Sequence, residues 1–181
     1  MDAIQALSRY LNGNLWQGLR TPPTEAAGLA ALLALAFAAL ALPLGWAWGQ
    51  FGWGLPEHLP WYLPLALLVL PVLLEEAVFR GLLLPLSLAK APLSTKARWI
   101  LASALLFTAW HPLNAWLVNV TARPFFYDPA FLFIVFLLGL GTGTAYVQSR
   151  SLWTSILMHW LTVLVWVLLL GGHSLVLQAV S

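Results

Sequence analysis

The sequence predicts an all-α fold: a polytopic transmembrane bundle of about five helices, with a possible interfacial helix at the N-terminus. Of the 181 residues, 61% are hydrophobic and only 8% are charged, whereas soluble domains carry about 25% charged residues. The apolar residues form stretches of about 20, the length that crosses the hydrocarbon core as a helix. Eleven tryptophans are typical of membrane proteins with aromatic anchors at the interfaces. We therefore expect an integral membrane protein with a single membrane domain over residues 1–181.

Residues 1–25 are expected to form an interfacial lead before the first span. Apolar residues recur there at spacings of three and four, with polar residues between them. This pattern indicates a short amphipathic helix at the membrane surface, and a frayed polar lead is the alternative that the pattern leaves open. The apolar positions are Ile4, Leu7, Leu11, Leu15 and Leu19, and the polar ones are Arg9, Asn12, Gln17 and Arg20.

Five spans are expected in total. Residues 26–59 hold the first span and an outer loop, and residues 60–170 hold the other four spans. The second span carries an acidic pair, and the third and fifth spans each carry a histidine. The approximate limits of the five spans are 26–48, 60–88, 98–120, 130–147 and 152–170.

The lysines and arginines outside the spans are unevenly distributed. If the spans alternate in direction, Arg123 lies alone on one side and six other cations share the opposite side. The positive-inside rule then predicts a cytoplasmic N-terminus and a cytoplasmic loop at residues 89–98. A net charge of +2 gives no reason to expect nucleic acid as a partner, and the lipid bilayer is the expected one. The six cations are Arg9, Arg20, Lys90, Lys96, Arg98 and Arg150.

Glu75, Glu76 and Arg80 lie inside the second span, where an ionised side chain costs at least a few kcal/mol. Glu76 and Arg80 are four residues apart on one helical face, with the acid first, and should neutralise each other. Glu75 has no such partner, because position 79 is Phe. Desolvation favours the neutral form of an unpaired carboxyl, which suits a group that exchanges protons near neutral pH. We interpret Glu76 as the structural acid and Glu75 as the chemical one; the alternative is that both only hold helices together.

Two histidines in other spans extend this cluster. His111 lies in the third span, with Phe107 one turn before it and Asn114 on nearly the same face. His159 lies in the fifth span. A single histidine in a span is often a packing residue, but two histidines in different spans, together with a free glutamate, indicate a polar site.

Two chemistries fit these residues. In the first, Glu75 and His111 deprotonate a water, and His159 stabilises the oxyanion that forms on a peptide carbonyl. In the second, the same three side chains bind a metal ion that activates the water. The sequence lacks a His-Glu-x-x-His motif and has no cysteine. The metal-free reaction, without any cofactor, is therefore the expected one.

The order and spacing of these residues resemble the CAAX protease and bacteriocin-processing family (CPBP, or ABI) of glutamic-type intramembrane proteases. The resemblance covers about residues 60–170. It implies that Glu75 is the catalytic base, that His111 shares activation of the water, and that His159 belongs to the oxyanion site. The motifs that carry it are Glu75-Glu76-x-x-x-Arg80, Phe107-x-x-x-His111 and a late histidine, His159.

The same resemblance implies supporting roles for Glu76 and Arg80. It also implies a short bacterial member in the inner membrane, whose substrate is a membrane-anchored peptide or the C-terminal tail of a protein. The alternatives to a protease are a proton-coupled carrier, an immunity-type partner and a pseudoenzyme, because buried glutamate and histidine relays also occur in transporters.

The chain departs from the family pattern at Val163. The family usually has Asn or Asp four residues after the histidine of its third motif. Loss of one oxyanion donor lowers the rate by roughly 100-fold or more. Asn114, Asn119 and Thr162 are the residues that could supply the missing donor.

Overall fold

The computed structural model describes residues 3–56 and 58–173. Residues 1, 2, 57 and 174–181, which belong to the predicted single membrane domain, lie outside the described part. Within the described part the regular structure is helical, apart from an isolated bridge between Gly54 and Leu170, which confirms the all-α class. The α-helices are α1 (Ala3–Leu11), α2 (Gln17–Arg20), α3 (Ala27–Ala47), α4 (Leu63–Leu67), α5 (Leu74–Glu76), α6 (Leu93–Leu117), α7 (Arg123–Phe126), α8 (Pro129–Ser149) and α9 (Leu152–Leu169).

Long apolar helices form the membrane bundle. Within the described residues, α3, α6, α8 and α9 are each long and apolar enough to cross a membrane. They correspond to the first, third, fourth and fifth predicted spans. The chain is therefore a polytopic helix bundle, as its composition predicts.

The second predicted span is not the continuous helix that residues 60–88 were expected to form. It consists of α4, a π-helical turn (Leu68–Leu73), α5 and a second π-helical turn (Ala77–Leu82). Leu70 is extended, with φ −133° and ψ 116°, which is the conformation that a following proline imposes. Pro71 also lacks the N–H that a continuous helix would need. We call residues 63–82 the broken helix.

The N-terminal helix that the sequence predicts is present. It comprises α1, a π-helical turn (Asn12–Trp16) and α2, and we call residues 3–20 the N-terminal segment. This segment contacts the end of the broken helix through Asn14 and the start of α9 through Leu19. We call this the basic end of the bundle, because the six cations grouped above belong to the segments that meet there.

Helix α8 lies against α3, α6 and α9. Close approach to α6 depends on Gly139, because a Cβ at this position would lie 3.1 Å from both Cα and Cβ of Ala104. The two helices therefore pack almost backbone to backbone at this level. This places the middle of α6 next to the broken helix, where Ser103 Oγ donates to the Phe79 carbonyl at 2.7 Å.

Candidate active site

The sequence-predicted residues come together from three elements in the middle of the bundle. The broken helix supplies the two glutamates and the arginine, α6 supplies Phe107 and His111, and α9 supplies His159. All of these side chains are buried. Three segments that are distant in sequence therefore converge on one site.

Glu76 and Arg80 form the predicted ion pair, with Glu76 Oε1 3.2 Å from Arg80 Nη1 and both side chains fully buried. Arg80 Nη2 also donates to the carbonyl of Gly139 at 3.2 Å and to the hydroxyl of Thr142. Its guanidinium carbon lies 4.4 Å from the centre of the Phe107 ring, and a desolvated contact of this kind contributes about 2 kcal/mol. Arg80 thus joins the broken helix to both α6 and α8.

His159 lies between the two carboxyls. Its Nδ1 is 2.9 Å from Glu76 Oε1, whereas its Nε2 is 4.0 Å from Glu75 Oε2. The shorter distance is a hydrogen bond, and the longer one exceeds direct hydrogen-bond reach. Because the Glu76 carboxylate also pairs with Arg80, Nδ1 is assigned as the donor in this bond. His159 therefore presents Nε2 toward Glu75.

Glu75 has a partner that the sequence reasoning missed. Its Oε1 accepts a hydrogen bond from the indole nitrogen of Trp110 at 3.0 Å. Glu75 is not part of the Arg80 ion pair, as expected from the Phe at position 79. A buried tryptophan N–H usually finds an acceptor, and Trp110 directly precedes His111. The sequence has eleven tryptophans, however, and nothing in it marks Trp110 as the one that bonds Glu75.

His111 is oriented by its own helix. Its Nδ1 lies 2.9 Å from the Phe107 carbonyl, and because a carbonyl can only accept, Nδ1 carries the proton. Nε2 of the neutral ring is then an acceptor. The ring contacts Phe107 and Phe126 edge to face, at centroid distances of 5.0 and 4.8 Å. Sequence reasoning also missed Phe126, since nothing in the local pattern distinguishes it from other apolar residues.

Phe107 contacts more of the site than its position one turn before His111 indicates. It is fully buried and lies edge to face with both His111 and His159, with a centroid distance of 5.5 Å to the latter. Arg80 covers the same ring. One aromatic side chain therefore spaces the arginine and the two imidazoles.

The site opens into a largely apolar cavity of about 950 Å³. Glu75, Trp110, His111 and His159 line it together with residues of α3 and the exposed Leu70 of the broken helix. All three residues proposed to replace the missing oxyanion donor also line it: Asn114, Asn119 and Thr162, with Val163 beside them.

These three candidates differ in their hydrogen bonds. Thr162 donates its hydroxyl proton to the Met158 carbonyl at 2.9 Å. Asn119 accepts from Thr121 at 2.8 Å. Within the described part of the chain, the side-chain amide of Asn114 makes no hydrogen bond, so its N–H groups are available to a ligand in the cavity.

A metal ion bound by Glu75, His111 and His159 would have to use Nε2 of each histidine, because Nδ1 of each already has a partner in the protein. Among the residues that the structure describes, no group of three or more His, Cys, Asp or Glu side chains is arranged to hold a metal ion.

A comparison with models of known protein families shows which family the chain belongs to. The family model of the type II CAAX prenyl endopeptidase Rce1-like proteins matches residues 56–165. The chain belongs to this family. The match covers the broken helix, α6, α8 and most of α9, and so includes every element that carries the site. Membership of this CAAX endopeptidase family makes the chain an integral membrane protease that acts on a peptide or protein substrate.

The family match agrees with the resemblance drawn from the motifs, whose expected extent was residues 60–170. No curated protein and no solved structure gives a significant match to this CAAX endopeptidase homologue. The matched residues do not include the N-terminal segment or α3.

Proposed function

We propose that this CAAX endopeptidase homologue is a glutamic-type intramembrane endopeptidase, in which a water activated by Glu75 hydrolyses a peptide bond. The observation that carries the proposal is the different surroundings of two adjacent carboxyls. Glu76 is neutralised by Arg80 and bonded to His159. Glu75 faces the cavity, and among the described residues its hydrogen-bond donor is the neutral indole of Trp110.

This asymmetry assigns different roles to the two acids. Adjacent carboxyls in unlike environments are the usual arrangement in which one acts on a proton and the other stays ionised. Glu76 holds Arg80 and His159 in place. Glu75, fixed through one oxygen by Trp110, keeps its second oxygen for the proton of the attacking water.

The histidines act on either side of that water. His111 offers Nε2 as an acceptor, because Nδ1 is held by the Phe107 carbonyl, and it shares the proton that leaves the water. His159 donates from Nδ1 to Glu76, so it can donate from Nε2 to an oxyanion only as the imidazolium. With both ring nitrogens protonated, His159 stabilises the oxyanion of the tetrahedral intermediate. Glu75 then returns the proton that it took from the water to the amine nitrogen as the C–N bond breaks.

Asn114 supplies the additional oxyanion donor that Val163 cannot provide. It follows His111 by three residues, a spacing that places two side chains next to each other on a helix. Within the described residues its amide is unbonded, and it faces the cavity, whereas the Thr162 hydroxyl already donates to a carbonyl and Asn119 lies beyond the end of α6, eight residues after His111. A preorganised donor of this kind contributes roughly 100-fold or more to the rate.

The substrate is a membrane-anchored peptide or the C-terminal tail of a protein. A largely apolar cavity of about 950 Å³, lined at its polar site by Glu75, His111 and His159, matches a chain that arrives from the lipid. We further propose that the protein is a bacterial inner-membrane protein of one membrane domain. The N-terminus would be cytoplasmic, because the basic end carries six of the loop cations.

The decisive experiment compares the membrane proteomes of cells that carry the wild-type protein and the Glu75→Gln variant. We expect a protein whose C-terminus is shortened only in the presence of wild type. Purified wild type should cleave that substrate, and a correctly folded Glu75→Gln protein should not. Unchanged cleavage by Glu75→Gln would refute the glutamic mechanism. Altered proton-linked flux, with no cleavage in either sample, would identify a carrier instead.

A further inference from the structure

The end of the broken helix is capped by residues from a distant part of the chain. Asn14 is buried. Its Nδ2 donates to the carbonyls of Gly81 at 2.6 Å and Leu84 at 3.1 Å, and its Oδ1 accepts from the Leu86 amide at 2.6 Å. The hydroxyl of Tyr10 donates to the Leu82 carbonyl. The last carbonyls of a helix have no donors of their own, so the N-terminal segment supplies this cap.

Close packing holds the cap in place. A Cβ added to Gly81 would lie 2.4 Å from a methyl carbon of Leu15, so these two residues touch only because position 81 is glycine. The indole nitrogen of Trp153 donates to the Leu19 carbonyl at 2.8 Å. The N-terminal segment is thus attached both to the broken helix and to the start of α9. A displacement of the segment would pull on the carbonyls of residues 81–84.

Helix α1, at the start of the segment, has one exposed apolar face and one polar face. Ile4 is 78% and Leu7 58% exposed, and no element of the described part of the chain covers either side chain. Arg9 is exposed on the other face of α1, since it follows Leu7 by two residues. Arg20 is exposed at the end of the segment, and its guanidinium lies 5.2 Å from the ring centre of Trp16. A helix with an apolar face and an arginine on the opposite face fits the boundary between headgroups and acyl chains.

The positive charges near α1 favour contact with anionic lipid. Lys90, Arg98 and Arg150 are also exposed at the basic end, whereas Arg123 belongs to the opposite end, where its Nε donates to the Ala115 carbonyl. Each cation near an anionic bilayer surface strengthens the binding of a protein segment to that surface by about fivefold. The partner that complements this face is therefore an anionic lipid surface.

We propose that the N-terminal segment docks on anionic lipid and, through Asn14, holds the broken helix that carries Glu75 and Glu76 in its working position. The lipid surface thereby controls the order of the helix end. The effect of this position on peptide hydrolysis rests on the proposed function. The effect of lipid charge on the order of the broken helix is independent of it, because that effect can be measured without a substrate.

The test uses the full-length protein in nanodiscs of phosphatidylcholine alone or mixed with phosphatidylglycerol. Amide hydrogen exchange is followed over residues 77–86, which include the Leu86 amide bonded to Asn14. We expect wild type to exchange at least about fivefold more slowly in the anionic discs. Arg9→Gln/Arg20→Gln should lose this difference. Arg123→Gln, which removes a cation at the opposite end, should keep it.

Asn14 variants test the connection itself. Asn14→Asp keeps the acceptor for the Leu86 amide but removes both donated bonds, and it should exchange at the same rate in both kinds of disc. If that variant does not fold, Tyr10→Phe removes the bond to Leu82 alone and should reduce the difference. Equal exchange of wild type in the two discs would overturn the proposal, and so would an undiminished lipid effect in the folded Asn14 or Tyr10 variant. Lipid-dependent exchange without any peptide cleavage would instead leave this inference standing and remove the proposed function.

Discussion

Nδ1 of His159 lies 2.9 Å from Oε1 of Glu76, so the late histidine is bonded to the same carboxylate oxygen that pairs with Arg80 at 3.2 Å. This relationship joins α9 to the broken helix. It also fixes which nitrogen of the imidazole faces Glu75. The order of the motifs indicates that Glu76, Arg80 and His159 belong to one site. Only their contacts show that Glu76 binds both of the other side chains.

The ion pair should dominate the stability of the site. Glu76→Gln leaves Arg80 buried without its anion, and breaking a buried pair from one side costs about 3–5 kcal/mol. We expect a clear loss of unfolding free energy for Glu76→Gln in a detergent denaturation series. The double variant Glu76→Gln/Arg80→Met should recover much of it, because no unpaired charge then remains. Single and double variants of equal stability would contradict this account.

Trp110 should affect the reaction more than the fold. Trp110→Phe keeps most of the ring volume but removes the hydrogen bond that the indole donates to Oε1 of Glu75. A bond to a charged group contributes about 1.5–3 kcal/mol, so kcat should fall by about tenfold or more with KM little changed. Trp116→Phe is the matched control, because Trp116 is on the same helix and 64% exposed. An equal effect of both substitutions would remove Trp110 from the site.

The position of the oxyanion donor can be tested by moving it. Asn114→Ala should lower kcat by roughly 100-fold. Val163→Asn in the same protein should restore part of the loss, because position 163 also lines the cavity, one turn after His159. Asn119→Ala serves as the control, since Asn119 also lines the cavity but lies beyond the end of α6, eight residues after His111. Full activity of Asn114→Ala beside an inactive Glu75→Gln would show that another group holds the oxyanion.

Metal dependence separates the two chemistries that the residues allow. If Glu75 acts as a base on water without a metal, cleavage should survive thorough chelation and dialysis. The measurement is the initial rate before and after chelation, with Glu75→Gln as the inactive reference. Loss of activity that zinc or cobalt restores would make Glu75, His111 and His159 ligands, and the glutamic mechanism would then be wrong.

The break in the second span is a feature that the local sequence did not predict. Its apolar length predicted one helix over residues 60–88, but the chain is extended at Leu70. Pro71 explains the break in hindsight, since it removes a donor and restricts the residue before it. Proline inside α6, at Pro112, leaves that helix continuous from Leu93 to Leu117. The presence of a proline therefore does not by itself predict where a helix of this chain breaks.

The sequence by itself determined the membrane class, the family motifs and the pairing of Glu76 with Arg80. These follow from composition and from the geometry of one helix, in which residues four apart must meet. Only the tertiary structure decided that Trp110 holds Glu75, that Phe107 spaces the arginine and both imidazoles, and that Asn14 caps the broken helix. Such contacts join residues far apart in the chain, and their partners depend on how whole helices pack, which no local spacing encodes.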